Sequence, residues 1–147
     1  MPKANSVLSE DIGAQRRVDV FFYGLYMDAE LLASKGVKAC DPRPAFVDGF
    51  GLRIGHKATL VRTPGARAYG MVFALTHGEI QTLYAGLDGY RPEPVLARTL
   101  AGQTTPAMCM NLLEPPAPAE RNPDYASKLR VVLERLGFPS DYVQNVV

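Results

Sequence analysis

The chain has 147 residues, 47% of them hydrophobic and 21% charged, and 16 Lys and Arg against 15 Asp and Glu leave a net charge of +1. That length suits one globular domain able to bury a core without disulfide or metal staples. Charges of both signs are scattered without blocks, which argues against a nucleic-acid partner, and no window approaches the roughly 18 apolar residues that a membrane helix needs.

The run from Met1 to Arg17 is polar and lacks the apolar segment of a secretion signal. It reads as a flexible lead-in (1–17) to a domain over 18–147, with the cytoplasm as the expected location. Cys40 and Cys109 are too few and too far apart for a metal cluster and read as packing residues. His56 and His77 have no thiol or carboxylate neighbours at ligand spacing, so they read as surface or structural residues, and no metal or cofactor is expected.

Val18 to Tyr23 is an apolar run rich in β-branched and aromatic residues, which predicts a buried central strand. The strand breaks at Gly24, and the chain passes through Leu25, Tyr26 and Met27 into a helix that Asp28 caps and Gly36 ends. Such a turn leaves backbone N–H groups free to meet an anionic or carbonyl-bearing ligand. It also suits an ordinary strand-to-helix connection in which the glycine only relieves steric strain.

From Ala45 to Leu60 a strand-like pattern is broken by Gly49, Gly51 and Gly55, which points to bends or bulges in a curled sheet. Thr63-Pro64-Gly65-Ala66 reads as a turn, so Ala58–Arg62 and Ala68–Leu75 are expected to pair as a hairpin. Thr76 and Glu79 form a capping-box pattern for a helix ending near Tyr84 to Gly86. Pro94–Leu100 and Thr104–Leu112 follow as two more strands, for five or six in all. Glu114 to Arg121 is a stiff proline-rich linker. Asn122 and Pro123 open a helix whose apolar stripe runs through Tyr125, Leu129, Val132, Leu133 and Leu136, Gly137 stops it, and Pro139 to Val143 begins a last short helical piece. The pattern predicts an α+β fold: a small curled, barrel-like mixed β-sheet with flanking helices.

Phe21-Phe22-Tyr23-Gly24-Leu25-Tyr26-Met27 resembles the tyrosine-glycine turn near the start of γ-glutamylcyclotransferase-like proteins, a superfamily that includes avirulence-induced-gene-like and butirosin-pathway cyclotransferase groups. Tyr69-Gly-Met-Val-Phe-Ala-Leu75 is similar to that family's central strand, and Thr76 to Leu83 to the short helix after it. Asn122-Pro-Asp-Tyr125 and Gly137-Phe-Pro-Ser-Asp-Tyr142 resemble paired helix starts in some members. The likeness runs from Val18 to Val143.

The resemblance implies a γ-glutamylcyclotransferase-like fold and a cofactor-free reaction in which the α-amine of a γ-glutamyl group attacks its own side-chain amide, yielding 5-oxoproline and a free amine. The protein would hold the folded-back conformer, take a proton and steady the oxyanion. Tyr23, Gly24, Leu25, Tyr26 and Met27 would bind substrate, with Tyr90 beside them, and a carboxylate would be the base. Here the sequence departs from the family, whose active members carry a glutamate after the short helix. Alignment on Asp88-Gly89 places Asp88 there, whereas alignment on Ala85-Gly86 places an alanine and leaves Glu93 as the nearest acid. Tyr26, Tyr69, Tyr84 and Tyr90 are candidate pocket liners, and Arg53, Arg62 and Arg91 candidate partners for a substrate carboxylate. The chain lacks the G-x-S-x-G, G-x-x-x-x-G-K and G-x-G-x-x-G patterns of serine, triphosphate and dinucleotide chemistry. The expected partner is a small molecule, either cyclised or bound without turnover, and the expected assembly a monomer or homodimer.

Overall fold

Val18, Val20, Phe21 and Phe22 stiffen the first element, β1 (Arg17–Phe22), into an extended strand. The computed structural model describes residues 16–147. Residues 1–15 of the expected lead-in lie outside the described residues, and Arg17 already belongs to β1. β2 (Cys40–Ile54), β3 (Ala58–Thr76), β4 (Tyr90–Thr99) and β5 (Thr104–Leu112) complete a closed five-stranded barrel in the order β1-β3-β2-β4-β5. β1 pairs antiparallel with β3 and parallel with β5, so the sheet is mixed and closure removes the edges of β1. Val20, Val47, Val72, Leu75, Ala97 and Cys109, each no more than 1% exposed, belong to the core.

The turn expected at Thr63–Ala66 does not reverse the chain. β3 runs on through these residues, and its partner is β2, joined to it by a tight turn at Gly55–Lys57. The register jumps between Phe50↔Arg62 and Asp48↔Arg67, so the four residues swell out as a bulge. Gly49 (φ +84°) and Gly65 (φ +81°) supply the left-handed backbone at that kink. The long ladder offered by β2 outweighs the local turn preference. β4 also starts at Tyr90, four residues before the predicted Pro94. Its pairing with β2 is confined to Ala45↔Thr99 and Phe46↔Arg98, so Pro92 and Pro94 lie where the strand's outer side is open.

The helices sit where their caps predict. Asp28 Oδ1 accepts from the Glu30 N–H (3.0 Å) at the start of α1 (Ala29–Ser34), and Thr76 and Glu79 form a reciprocal box at the start of α2 (His77–Tyr84). Glu79 also accepts from the Lys38 N–H and pairs with Arg17 at 2.9 Å, which ties α2 to β1. Asn122 caps α3 (Pro123–Arg135), whose Ala126, Leu129, Val132 and Leu133 are buried, and α4 (Ser140–Gln144) packs beside it. No helix among the described residues is long and apolar enough to cross a membrane.

Candidate functional site

Where β1 ends, Leu25–Met27 form a single 3-10 turn that leads into α1. This turn forms part of the wall of a cavity of about 330 Å³. Its N–H groups are less open than the sequence implies. Met27 donates to the Gly24 carbonyl (3.0 Å), Asp28 to the Leu25 carbonyl (3.1 Å), and Leu25 to the hydroxyl of Tyr125 on α3 (3.1 Å). Gly24 has φ −114°, a value open to any residue, so backbone freedom does not explain it. A Cβ there would run into the Tyr125 hydroxyl, and the glycine is needed for that close approach.

The cavity wall is rich in phenols. Tyr23 donates to the Met110 carbonyl (2.6 Å), Tyr26 to the Leu83 carbonyl (3.0 Å) and Tyr90 to the Ala58 carbonyl (2.6 Å). Tyr125 accepts from Leu25 and keeps its own hydrogen, while the Tyr84 hydroxyl has no partner among the described residues. Tyr84 lines the cavity, and its hydroxyl is not sealed off: the one sealed side-chain oxygen without a partner among the described residues is that of Tyr142, elsewhere in the fold. Burial first, and then the neighbouring thiol and phenols, pushes Tyr23 and Tyr84 well above the ordinary phenol range, and burial likewise raises Tyr90 and Tyr125. All are protonated donors at neutral pH. The rings are locked edge-to-face: Tyr26 on Tyr84 at 5.9 Å and Tyr84 on Tyr90 at 5.4 Å.

Charge at the cavity comes from Lys35 on the segment after α1 and from Lys57, which stands beside His56 at the tip of the β2–β3 hairpin. Lys57 Nζ donates to the Asp88 carbonyl (2.8 Å) and has no carboxylate partner among the described residues. No Asp or Glu of the described residues lines the cavity. The loop after α2 presents Leu87 to it, whereas Asp88 lines an adjacent groove on the other side of His56 and Lys57. Glu93 is held elsewhere: its carboxylate accepts from Asn111 Nδ2 and pairs with Arg62, each at 2.9 Å.

Of the residues singled out from sequence, Tyr23, Gly24, Leu25, Tyr26, Tyr84 and Tyr90 are brought together around the cavity. Met27 is 1% exposed and packs in the core behind the turn. Tyr69 stands against Phe46, Phe138 and Tyr142, away from the cavity. Arg53 donates to the Ala117 carbonyl, Arg62 pairs with Glu93, and Arg91 donates to the Tyr90 carbonyl, so none of the three lines it. The residues that the sequence did not mark are Lys35, His56, Lys57, Leu87 and Tyr125. Tyr125 had a signal in the Asn122-Pro-Asp-Tyr125 likeness, but helical periodicity alone assigns it to a packing stripe. Among the described residues no group of three or more His, Cys, Asp or Glu side chains is placed to hold a metal ion.

By sequence, no family model and no curated protein matches the chain. Solved structures do match its shape. A protein titled gamma-glutamyl cyclotransferase superposes with a TM-score of 0.73 at 17% identity, over 89% of this chain and 86% of that one. YkqA from Bacillus subtilis gives 0.73 at 20% identity over 97% of this chain, which spans 56% of YkqA. An AIG2-like protein from Mus musculus gives 0.55 at 13% identity, over 75% of this chain and 91% of that one. The closed barrel with its flanking helices is the fold that these solved structures share with this chain.

Proposed function

We propose that the protein binds a small carboxylate- or carbonyl-bearing metabolite of the γ-glutamyl type in this cavity, without turning it over. One observation carries the reading. Phenol hydroxyls and cationic side chains line the cavity, and no carboxylate among the described residues stands in its wall to act as base. Removing the α-ammonium proton needs an acceptor within hydrogen-bond reach, and Asp88 and Glu93 face other surroundings. Tyr23, Gly24, Leu25, Tyr26 and Tyr90 would form the binding wall, with Met27 behind it. The rival reading, cyclisation to 5-oxoproline with Asp88 or Glu93 as base, draws on the shared fold and on the link from Lys57 in the cavity wall to the Asp88 main chain.

Calorimetric titration with 5-oxoproline, glutamate and γ-glutamyl methylamide, run beside an assay for methylamine release, separates the two. Saturable binding of at least one ligand with no release is expected. Multiple turnovers of methylamine release would overturn the binding reading, and activity lost in Asp88→Asn or Glu93→Gln would establish the rival.

A further inference from the structure

Among the described residues the cavity offers no carboxylate to a positive charge: no Asp or Glu lines it, while Lys35 and Lys57 do. A free ammonium would enter without a counter-ion, against side chains of its own sign, and lose its hydration. What the cavity does offer is donors. The Tyr125 hydroxyl oxygen is taken by the Leu25 N–H, so its hydrogen is free, and the Tyr84 hydroxyl is uncommitted among the described residues. Among the described residues the Lys57 charge meets only a carbonyl, that of Asp88. Apolar wall is supplied by Phe22, Leu31 and Leu87.

Resting on the binding reading above, we infer that the ligand is a carboxylate whose molecule carries no free ammonium, such as a lactam acid or an N-acylated amino acid. Its carboxylate lies against Lys57 and the hydroxyls of Tyr84 and Tyr125, and its uncharged amide body lies among Leu31, Leu87 and the tyrosine rings. Such a ligand needs no base in the cavity wall, because without an ammonium it has no such proton to surrender.

The test is calorimetry on the full chain with matched pairs: N-acetylglutamine against glutamine, and 5-oxoproline against glutamate. The acylated or lactam member is expected to bind about ten-fold more tightly or better, the size of one well-placed charge-assisted hydrogen bond or one uncompensated charge. Lys57→Met and Tyr84→Phe are each expected to weaken it several-fold, with thermal melting used to confirm that the variants are folded. Equal or tighter binding of the ammonium-bearing members would overturn the inference and leave the binding reading standing. No binding by any of the four would end both. A preference for the acylated ligands that Tyr84→Phe and Lys57→Met leave unchanged would overturn the assigned contacts.

Discussion

Replacement of Gly24 by Ala tests the closest approach in the site. The alanine Cβ would fall on the Tyr125 hydroxyl, while the ring carbon behind it, Cζ, stays at an ordinary 3.6 Å. The backbone at φ −114° accepts alanine, so the whole effect is a collision with one oxygen. Moving that hydroxyl costs about 1–3 kcal/mol of overpacking, and the Leu25 N–H loses its partner for about 1 kcal/mol more. Loss of glycine freedom in the unfolded chain returns about 0.4–1 kcal/mol. The expected net destabilisation is about 2 kcal/mol, or roughly 4–8 °C in Tm for a chain of this size. Tyr125→Phe alone should cost about 1 kcal/mol, the orphaned Leu25 N–H. Once the hydroxyl is gone the Cβ has room, so Gly24→Ala in the Tyr125→Phe background should cost almost nothing. Urea unfolding followed by circular dichroism yields all four corners of the cycle, with a coupling of about 2 kcal/mol expected. Additivity within about 0.5 kcal/mol would refute the assignment of Gly24 to the Tyr125 approach.

Acid should unfold the protein through three carboxylates. The hydrogen bond from Arg43 holds Asp19 below the ordinary aspartate value of 3.8 against the opposing effect of burial. In Glu79 and Asp28 burial pushes upward, but hydrogen bonds from Thr76 and Lys38 on the one, and from Arg135 and Glu30 on the other, bring the net shift down. The unfolded chain therefore binds more protons in acid, and this stability is complete above about pH 5 and lost as pH falls through the folded values. A Tm flat from pH 7 to about pH 5 and falling below it is expected, and a Tm that rises between pH 5 and 3 would contradict the shifts. The Cys109 thiol is fully buried and burial pushes its pKa up, while Cys40 is partly open. An aromatic disulfide reagent should label one thiol per native chain and two in urea, and rapid double labelling of the native protein would show that the barrel interior opens.

What the sequence made legible was local chemistry. Asp28, Thr76 with Glu79, and Asn122 each cap a helix within three residues of themselves, so the signal and its consequence sit side by side. The β2–β3 ladder was not legible, because it pairs residues such as Asp48 and Arg67 that no short window compares, and Pro64-Gly65 carries a turn signature whether it ends a strand or bulges from one. His56 and Lys57 escaped notice for the same reason: only the long hairpin carries its tip to the cavity. Leu87 and Asp88 illustrate a finer limit. Gly86 (φ +77°) and Gly89 (φ +89°) set the path of the loop after α2, and that path decides which of two neighbouring side chains faces inward. Spacing read from sequence cannot supply the phase of a loop that two left-handed glycines control.

That phase bears directly on what the fold can do here. The phenols of Tyr23, Tyr26 and Tyr90 are pinned to carbonyls of β5, α2 and β3 respectively, so three of the elements around the cavity hold its polar wall rigid. The hydrogens of these phenols are spent on those carbonyls, so among the described residues the hydroxyl donors left for an acceptor are Tyr84 and Tyr125, and a wall fixed before a ligand arrives loses little entropy when it binds. The same rigidity keeps the Asp88 carboxylate where it is, because its own carbonyl is held by Lys57 and rotation of the loop toward the cavity would break that bond. A turn, a hairpin tip and a helix thus meet at one hollow, and Leu87 rather than Asp88 completes its wall, so that this part of the wall is apolar among the described residues.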